Sequence, residues 1–430
     1  MASPAGAARS KATWVACGLA LVAFWALRLG YWSVTREEPF SDMADFRGIA
    51  ERFAAGGTLA ADSFWQSYRS PVLPLLGALQ IVLFGPDLLP WRWMQAVLLC
   101  AGACWLAREL WLSTRSRWLA VGWLWLVALS KPSVFWSYKF AKEGLHEALQ
   151  YVVLALVLRL LRRPSLALAA LMGALAFAVT LNRTNFVFAL VAIPALLVIG
   201  VEPRAQLRTR LRTCAPRILA FVAGAVLAWV PWGVRTWQLY GEPLFLTTDG
   251  ACVVLDGLAK ITVDEPDGSQ QTIEYWPFLH GAPQRFPNDH EADVWLRARV
   301  QQGLLADPVE WMVRAAHNAG VSAFHREVSL TKVPRDVLLP SPWQWLLLDK
   351  HRLTVVLGVL GLFALALRHR HLLALGLLTV PPWVLACFML GLPRYLEPMI
   401  PLLLFGNLAL FVLVAEWIRA RRRASRLTGS

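Results

Sequence analysis

Long apolar runs separated by short polar connections dominate the chain. Crossing a ~30 Å hydrocarbon core takes roughly 20 mostly apolar helical residues, and Thr13 to Val34 is the first run of that length. It is too long for a signal-peptide core and lacks a convincing small-residue cleavage site behind it. It carries Arg28, Tyr31 and Trp32 near one end, where they can snorkel, so it reads as an uncleaved span. Further runs lie at about 91–112, 118–134, 143–161, 165–181, 184–200, 218–239, 351–367, 372–390 and 397–417, and the pattern predicts about ten transmembrane helices. Pro71 to Gly85 is apolar but only 15 residues long, and it reads as a helix lying at or dipping into the outer surface.

The connections test this count, because every second one should be rich in Arg if basic loops stay inside. Those holding Arg115 and Arg117, Arg162 and Arg163, Arg204 to Arg212, and Arg368 and Arg370 alternate as required. The C-terminal run from Arg419 to Arg426 falls on the same side as Arg9 and Lys11. Both termini are therefore expected in the cytoplasm. The opposite side receives a first loop of about 35–90 and a large loop of about 240–349, which holds 15 Asp and Glu against 8 Lys and Arg. The expected organisation is an N-terminal transmembrane core (1–239) with its outer loop 35–90, a small mixed extracytoplasmic domain (240–349), and C-terminal transmembrane helices with a basic tail (350–430). Trp276, Phe278, Trp295 and Trp311 are available for a core in the large loop. Asp307 and Pro308 mark the start of the second of two helices, about 291–305 and 308–324. The Trp311, Ala315 and Asn318 to Val321 face of that helix is expected against the bilayer.

Composition strengthens the same picture. With 57% hydrophobic residues, 16% charge and a mean hydropathy of +0.49, the chain is excluded from disordered, coiled-coil and nucleic-acid-tail classes and reads as an all-α polytopic membrane protein. Its net charge of +14 belongs to topology rather than to polyanion binding. Six scattered Cys offer no disulfide framework and no zinc cluster.

The span interiors look nearly free of ionisable residues, which gather at the outer ends instead. Asp42, Asp45 and Arg69 lie in the first loop; Lys139, Lys142, Glu143 and His146 precede or open the fourth span; Arg183 sits in the tight turn after the fifth; Arg235 and Arg394 lie at the outer ends of the seventh and tenth. So many cations on the side that disfavours them need a reason, and a phosphate at the outer interface supplies one, since Arg offers bidentate charge-assisted hydrogen bonds to phosphate oxygens. Each residue also has a plainer reading: Asp42 as a helix cap, Asp45 as a solvated helix residue, Glu143 on the helix dipole, the cations as interface anchors or loop charges.

The segment SDMADFRGIAERFAAGG, with Asp42 and Asp45 one turn apart, followed by YRSPVLPLLGALQIVLFG, resembles the membrane-embedded C-type (GT-C) glycosyltransferases, in particular the protein O-mannosyltransferase and lipid A aminoarabinose transferase relatives that use polyprenyl-phosphate sugars. Met43 stands where an acid is usual and Phe46 where Tyr is usual. KPSVFWSYKFAKEGLHEAL, LNRTNF, VPWGVRTWQLYGEPLFLTTDGA and LPRYLEPMIPLLL follow in the family's order. The resemblance implies an inverting transfer of sugar from a polyprenyl-phosphate carrier to an envelope glycan, lipid or protein acceptor on the periplasmic face of a bacterial inner membrane, with no nucleic-acid partner. Asp42 is the implied base, and Arg394, Arg235, Arg183 and Lys139 are implied at the phosphate. Tyr395 and Glu143 shape sugar or helix contacts, and Asp45 and Arg69 complete the substrate-binding set. No cofactor is called for, with a divalent metal left open. An O-antigen polymerase or ligase is the rival enzyme, and a transporter or flippase of lipid-linked sugars is the rival from another class; the latter predicts internal repeats and mid-membrane charges.

Overall fold

The computed structural model describes residues 4–35, 39, 42–200, 206–258, 260–264, 269–324, 352–389 and 393–428. Nearly all of this is helix. Five helices are long and apolar enough to cross a membrane: Lys11–Ser33, Leu89–Thr114, Lys142–Arg162, Leu207–Tyr240 and Glu397–Arg422. They lie within α1 (Pro4–Val34), α4 (Leu89–Thr114), α7 (Lys142–Arg162), α10 (Leu207–Tyr240), and the final helix with the short turn before it.

Of the other five expected spans, 165–181 and 351–367 are single helices of 17 residues, and three are broken, each for a local reason. The run 118–134 divides at Ser130 into α5 (Arg117–Leu129) and α6 (Lys131–Trp136), because the Ser130 side chain caps α6 and Pro132 occupies its first turn. The run 165–181 becomes α8 (Leu166–Asn182), and 184–200 opens with a 3₁₀ turn, Thr184–Phe188, before α9 (Ala189–Ile199). Further on, 372–390 splits at Leu378 and Thr379, just ahead of Pro381 and Pro382, which occupy the first turn of the second piece and cannot donate backbone hydrogen bonds to the piece before it. Pro71–Gly85 contains the 13-residue helix α3 (Val72–Phe84).

The main core joins α1, α4, α5, α7, α8 and the C-terminal helices around Trp123, Tyr151 and Phe405. A second cluster holds the first loop in place. Phe46 and Ala50 of α2 (Asp42–Ala54) pack with Leu73 and Ala78 of α3, Trp91 of α4, and Phe140 and Leu145 beside the start of α7.

Residues 250–324 fold as α11 (Gly250–Leu258), the antiparallel pair β1 (Lys260–Asp264) and β2 (Gln270–Glu274), α12 (Tyr275–Arg285), α13 (Asp289–Ala306) and α14 (Pro308–Phe324). Asn288 caps α13, and the Asp307 side chain accepts from the Glu310 amide at 2.8 Å. Phe278 is buried in the cluster of this segment, with Trp295 and Trp311 packed against it, whereas Trp276 is 62% exposed and is not a core residue. The expected bilayer face of α14 is also reassigned. Arg314 and Asn318 donate to the carbonyls of Leu258 and Gly257, and Ala315 is buried, so that face docks on α11. The apolar surface left outside is instead Val309, Met312 and Val313.

The C-terminal part comprises α15 (Arg352–Arg368), α16 (Leu373–Leu377), α17 (Val380–Met389), two 3₁₀ turns at Pro393–Tyr395 and Glu397–Met399, and α18 (Ile400–Thr428).

Four ionisable residues are fully buried within the bundle: Arg28 near the end of α1, Glu109 near the end of α4, and His146 and Glu147 in the first two turns of α7. Arg28 does not snorkel. Its guanidinium donates to Ser133 Oγ at 2.8 Å and to the Phe24 carbonyl at 3.2 Å and lies over the Phe24 ring, while Glu147 accepts from the Tyr151 hydroxyl at 2.7 Å.

Candidate active site

The first turn of α2 supplies Asp42 and Asp45, and both carboxylates face Arg69, which stands just before α3. Arg69 Nη2 lies 3.2 Å from Asp42 Oδ1 and 2.6 Å from Asp45 Oδ2. The other Asp42 oxygen accepts from Arg394 Nη2 at 3.1 Å, although the two residues are 352 positions apart. Arg394 in turn has its Nε 4.0 Å from Glu143 Oε1 at the start of α7. Arg183 donates to the Arg394 carbonyl at 3.4 Å and lies over the Tyr395 ring, 4.8 Å from its centroid. Seven of the nine residues singled out in the sequence thus meet in one cluster: Asp42, Asp45, Arg69, Glu143, Arg183, Arg394 and Tyr395.

Asp42 is not merely a helix cap, since both its oxygens are engaged by guanidinium groups from distant parts of the chain. Burial disfavours its charged form, but the nearby Arg69, Arg394 and Lys142 charges outweigh that cost and hold the carboxyl below its ordinary range. The same attraction overcomes desolvation at Arg69 and Arg394, whose charged forms are stabilised. Arg183 has a less balanced environment, and burial lowers its pKa.

Arg235 lies outside the contacts of this cluster. Its guanidinium donates to Ser67 Oγ at 3.0 Å and to the carbonyls of Leu59 and Gln66, both at 2.8 Å. The segment that leads to Arg69 occupies it, and Asp289 grips the same segment through the Ser67 amide at 2.7 Å. Arg235 is a loop clamp here. Lys139 is buried with its ammonium over the Phe135 and Tyr138 rings, at 5.1 and 5.5 Å.

Two neighbours escaped the sequence reading. Asp256 on α11 lies within electrostatic reach of Arg394 and Asp42, with its carboxyl pushed up first by burial and further by Asp42. Glu397 accepts from Trp136 Nε1 at 2.6 Å, tying the turn after Arg394 to the segment before α7. The signal for Glu397 was its place three residues after Arg394. Asp256 lies in a long loop whose acidity looked diffuse. Among the described residues, no three His, Cys, Asp or Glu side chains converge as a metal centre requires.

No protein-family model and no curated protein sequence matches the chain. The structure is similar to the apo crystal structure of the Archaeoglobus fulgidus oligosaccharyltransferase, with a TM-score of 0.53 and 13% identity over 97% of this chain. The alignment covers 52% of that protein, so the chain spans about half its length. It also aligns with ArnT from Cupriavidus metallidurans bound to undecaprenyl phosphate, at a TM-score of 0.37 and 16% identity over 90% of this chain and 77% of the other. The chain therefore shares the fold of that oligosaccharyltransferase structure, and its long apolar helices make it a multi-pass helical membrane protein.

Proposed function

We propose that the chain is a membrane glycosyltransferase that moves a sugar from a polyprenyl-phosphate carrier to an acceptor at the outer face of a bacterial inner membrane, with inversion at the anomeric carbon. The observation that carries this reading is the Asp42 carboxylate bracketed by Arg69 and Arg394, with Arg183 and Tyr395 adjoining.

Such a transfer needs a base for the acceptor proton and cations for the departing phosphate. The acceptor atom forms its bond to the anomeric carbon as the bond to the phosphate oxygen breaks. The electron pair leaves with the phosphate, and the acceptor proton passes to Asp42. Paired with Arg394, the Asp42 carboxylate is a weak base. A donor phosphate competes for the Arg394 guanidinium, and transfer of that cation to the phosphate frees Asp42 to act. Arg183 backs the phosphate site through the Arg394 backbone, while Arg69 and Asp45 keep Asp42 oriented. The sugar, the acceptor and the length of the carrier are left open by these contacts.

The test compares lipid-extracted sugars and envelope glycans in cells with and without the gene. A strain lacking it is expected to accumulate one polyprenyl-phosphate sugar and to lose that sugar from one envelope component. An accumulated lipid diphosphate oligosaccharide instead would favour the polymerase or ligase reading, and unchanged pools would end the transferase reading.

A further inference from the structure

We propose that the groove between α1, α4 and α5, at the opposite end of the bundle from the Asp42 cluster, binds one anionic phospholipid. The groove encloses about 410 Å³, and its walls include Cys17, Leu21 and Leu124. Such a wall offers an acyl chain an apolar bed and offers water nothing to bond.

The rim is different. Arg108 and Arg117 line the same groove, with Trp111 between them. The fully buried Glu109 carboxylate is shared by Arg108, at 3.1 Å, and Arg162, so one carboxylate faces two guanidinium groups and a positive charge is left over. The Arg108 side chain is 57% exposed, and Arg117 stands over the Trp111 ring, 5.8 Å from its centroid. Two outward-facing guanidinium groups above an apolar slot complement a phosphate joined to acyl chains, and a bare phosphate or a zwitterionic headgroup matches only part of that arrangement.

The experiment uses native mass spectrometry of the full chain, equilibrated with equal amounts of phosphatidylglycerol and phosphatidylcholine. One phosphatidylglycerol is expected to be retained about 25-fold more often than phosphatidylcholine, the product of two basic residues. The paired substitution Arg108→Gln with Arg117→Gln should bring the two close to parity, at about fivefold per basic residue. Removing the same charge from the C-terminal helix at residues that do not line the groove, Arg419→Gln with Arg422→Gln, should change nothing. Cys17→Phe fills the slot and should lower retention of both lipids. Independently of folding in that variant, phosphatidylglycerol should slow alkylation of wild-type Cys17 and Cys104 by N-ethylmaleimide, and phosphatidylcholine should not. Equal retention of the two lipids, equal sensitivity to the far pair, unaltered alkylation, or competition by chain-free glycerophosphoglycerol as strong as by the intact lipid would each overturn the proposal.

Discussion

Asp42 concentrates the argument at the scale of single residues. Its carboxyl is held below the ordinary range, so its ion pairs contribute stability at every pH above the unfolded carboxylate value. That contribution is lost only as pH falls through the lower folded value. Activity should show a related asymmetry. The acid limb of kcat/KM reports the free enzyme, where Arg394 still pairs with Asp42, whereas the limb of kcat reports the donor complex, where the phosphate has taken that cation. We expect the kcat limb at higher pH than the kcat/KM limb. Coincident limbs would mean that Arg394 does not change partners. Asp42→Asn should leave membrane insertion intact and reduce transfer roughly 10²–10⁴-fold, with Asp45→Asn beside it for comparison. Wild-type turnover in purified Asp42→Asn would remove the base assignment. Arg394→Lys keeps a positive charge but loses the planar fork, so apparent donor affinity or rate should fall about 10- to 150-fold, the value of one charge-assisted pair. The same exchange at Arg235 should instead loosen residues 59–67, visible as faster amide hydrogen exchange there, because its three acceptors all belong to that segment. Lys139 tests burial by another route. Its pKa is pushed down to about 8 by desolvation, so between there and the unfolded lysine value the unfolded chain binds the extra proton. Stability should therefore rise with pH across that window in the wild type, and Lys139→Met should flatten the slope in thermal unfolding.

Elements were legible in the sequence wherever hydrophobic length alone decides them, and less so where a few polar atoms intervene. A helix occurs at every apolar run, since backbone groups in hydrocarbon must be satisfied within the segment. What the runs concealed were the breaks: Ser130 with Pro132, and Pro381 with Pro382, are apolar-tolerant residues on a hydropathy scale yet interrupt the backbone hydrogen-bond ladder. Arg28 and Glu147 were likewise hidden, because their partners Ser133 and Tyr151 lie on other turns or other helices and pattern reading sees one helix at a time. Close helix crossings depend on glycines whose role is invisible until the partner is known. A Cβ on Gly361 of α15 would collide with the Gly406 carbonyl of α18, and one on Gly406 with the Gly358 carbonyl. Gly361→Val should destabilise the fold by about 1–3 kcal/mol. Gly18→Ala, where a Cβ meets nothing within 4 Å, should not. Thermal unfolding in one detergent decides between them, and equal midpoints would show that α15 and α18 can separate freely.

The molecule as a whole is polarised, and that bears directly on its placement in a membrane. Asp42, Arg69, Glu143, Arg183 and Arg394 come from five separate parts of the chain and meet at one end of the bundle, where Asp289 also grips the Ser67 amide. The Glu109–Arg162 and Arg368–Glu416 pairs lie toward the far ends of the helices that begin at or run from that cluster. Residues expected outside therefore share one end, and residues from the basic connections share the other. This grouping is independent of which end faces the cytoplasm. The clustered Arg of the second end supplies the direction, because basic residues resist translocation. A reporter fused after Arg163 or Arg212 should accordingly read as cytoplasmic, and a cysteine placed at the exposed Ser63, in a background with its other cysteines removed, should react with an impermeant maleimide in intact spheroplasts. A cytoplasmic Ser63 would place the Asp42 cluster on the side where nucleotide sugars are available. A lipid-phosphate donor would then have no advantage, and the transferase proposal would have to be rebuilt around a different leaving group.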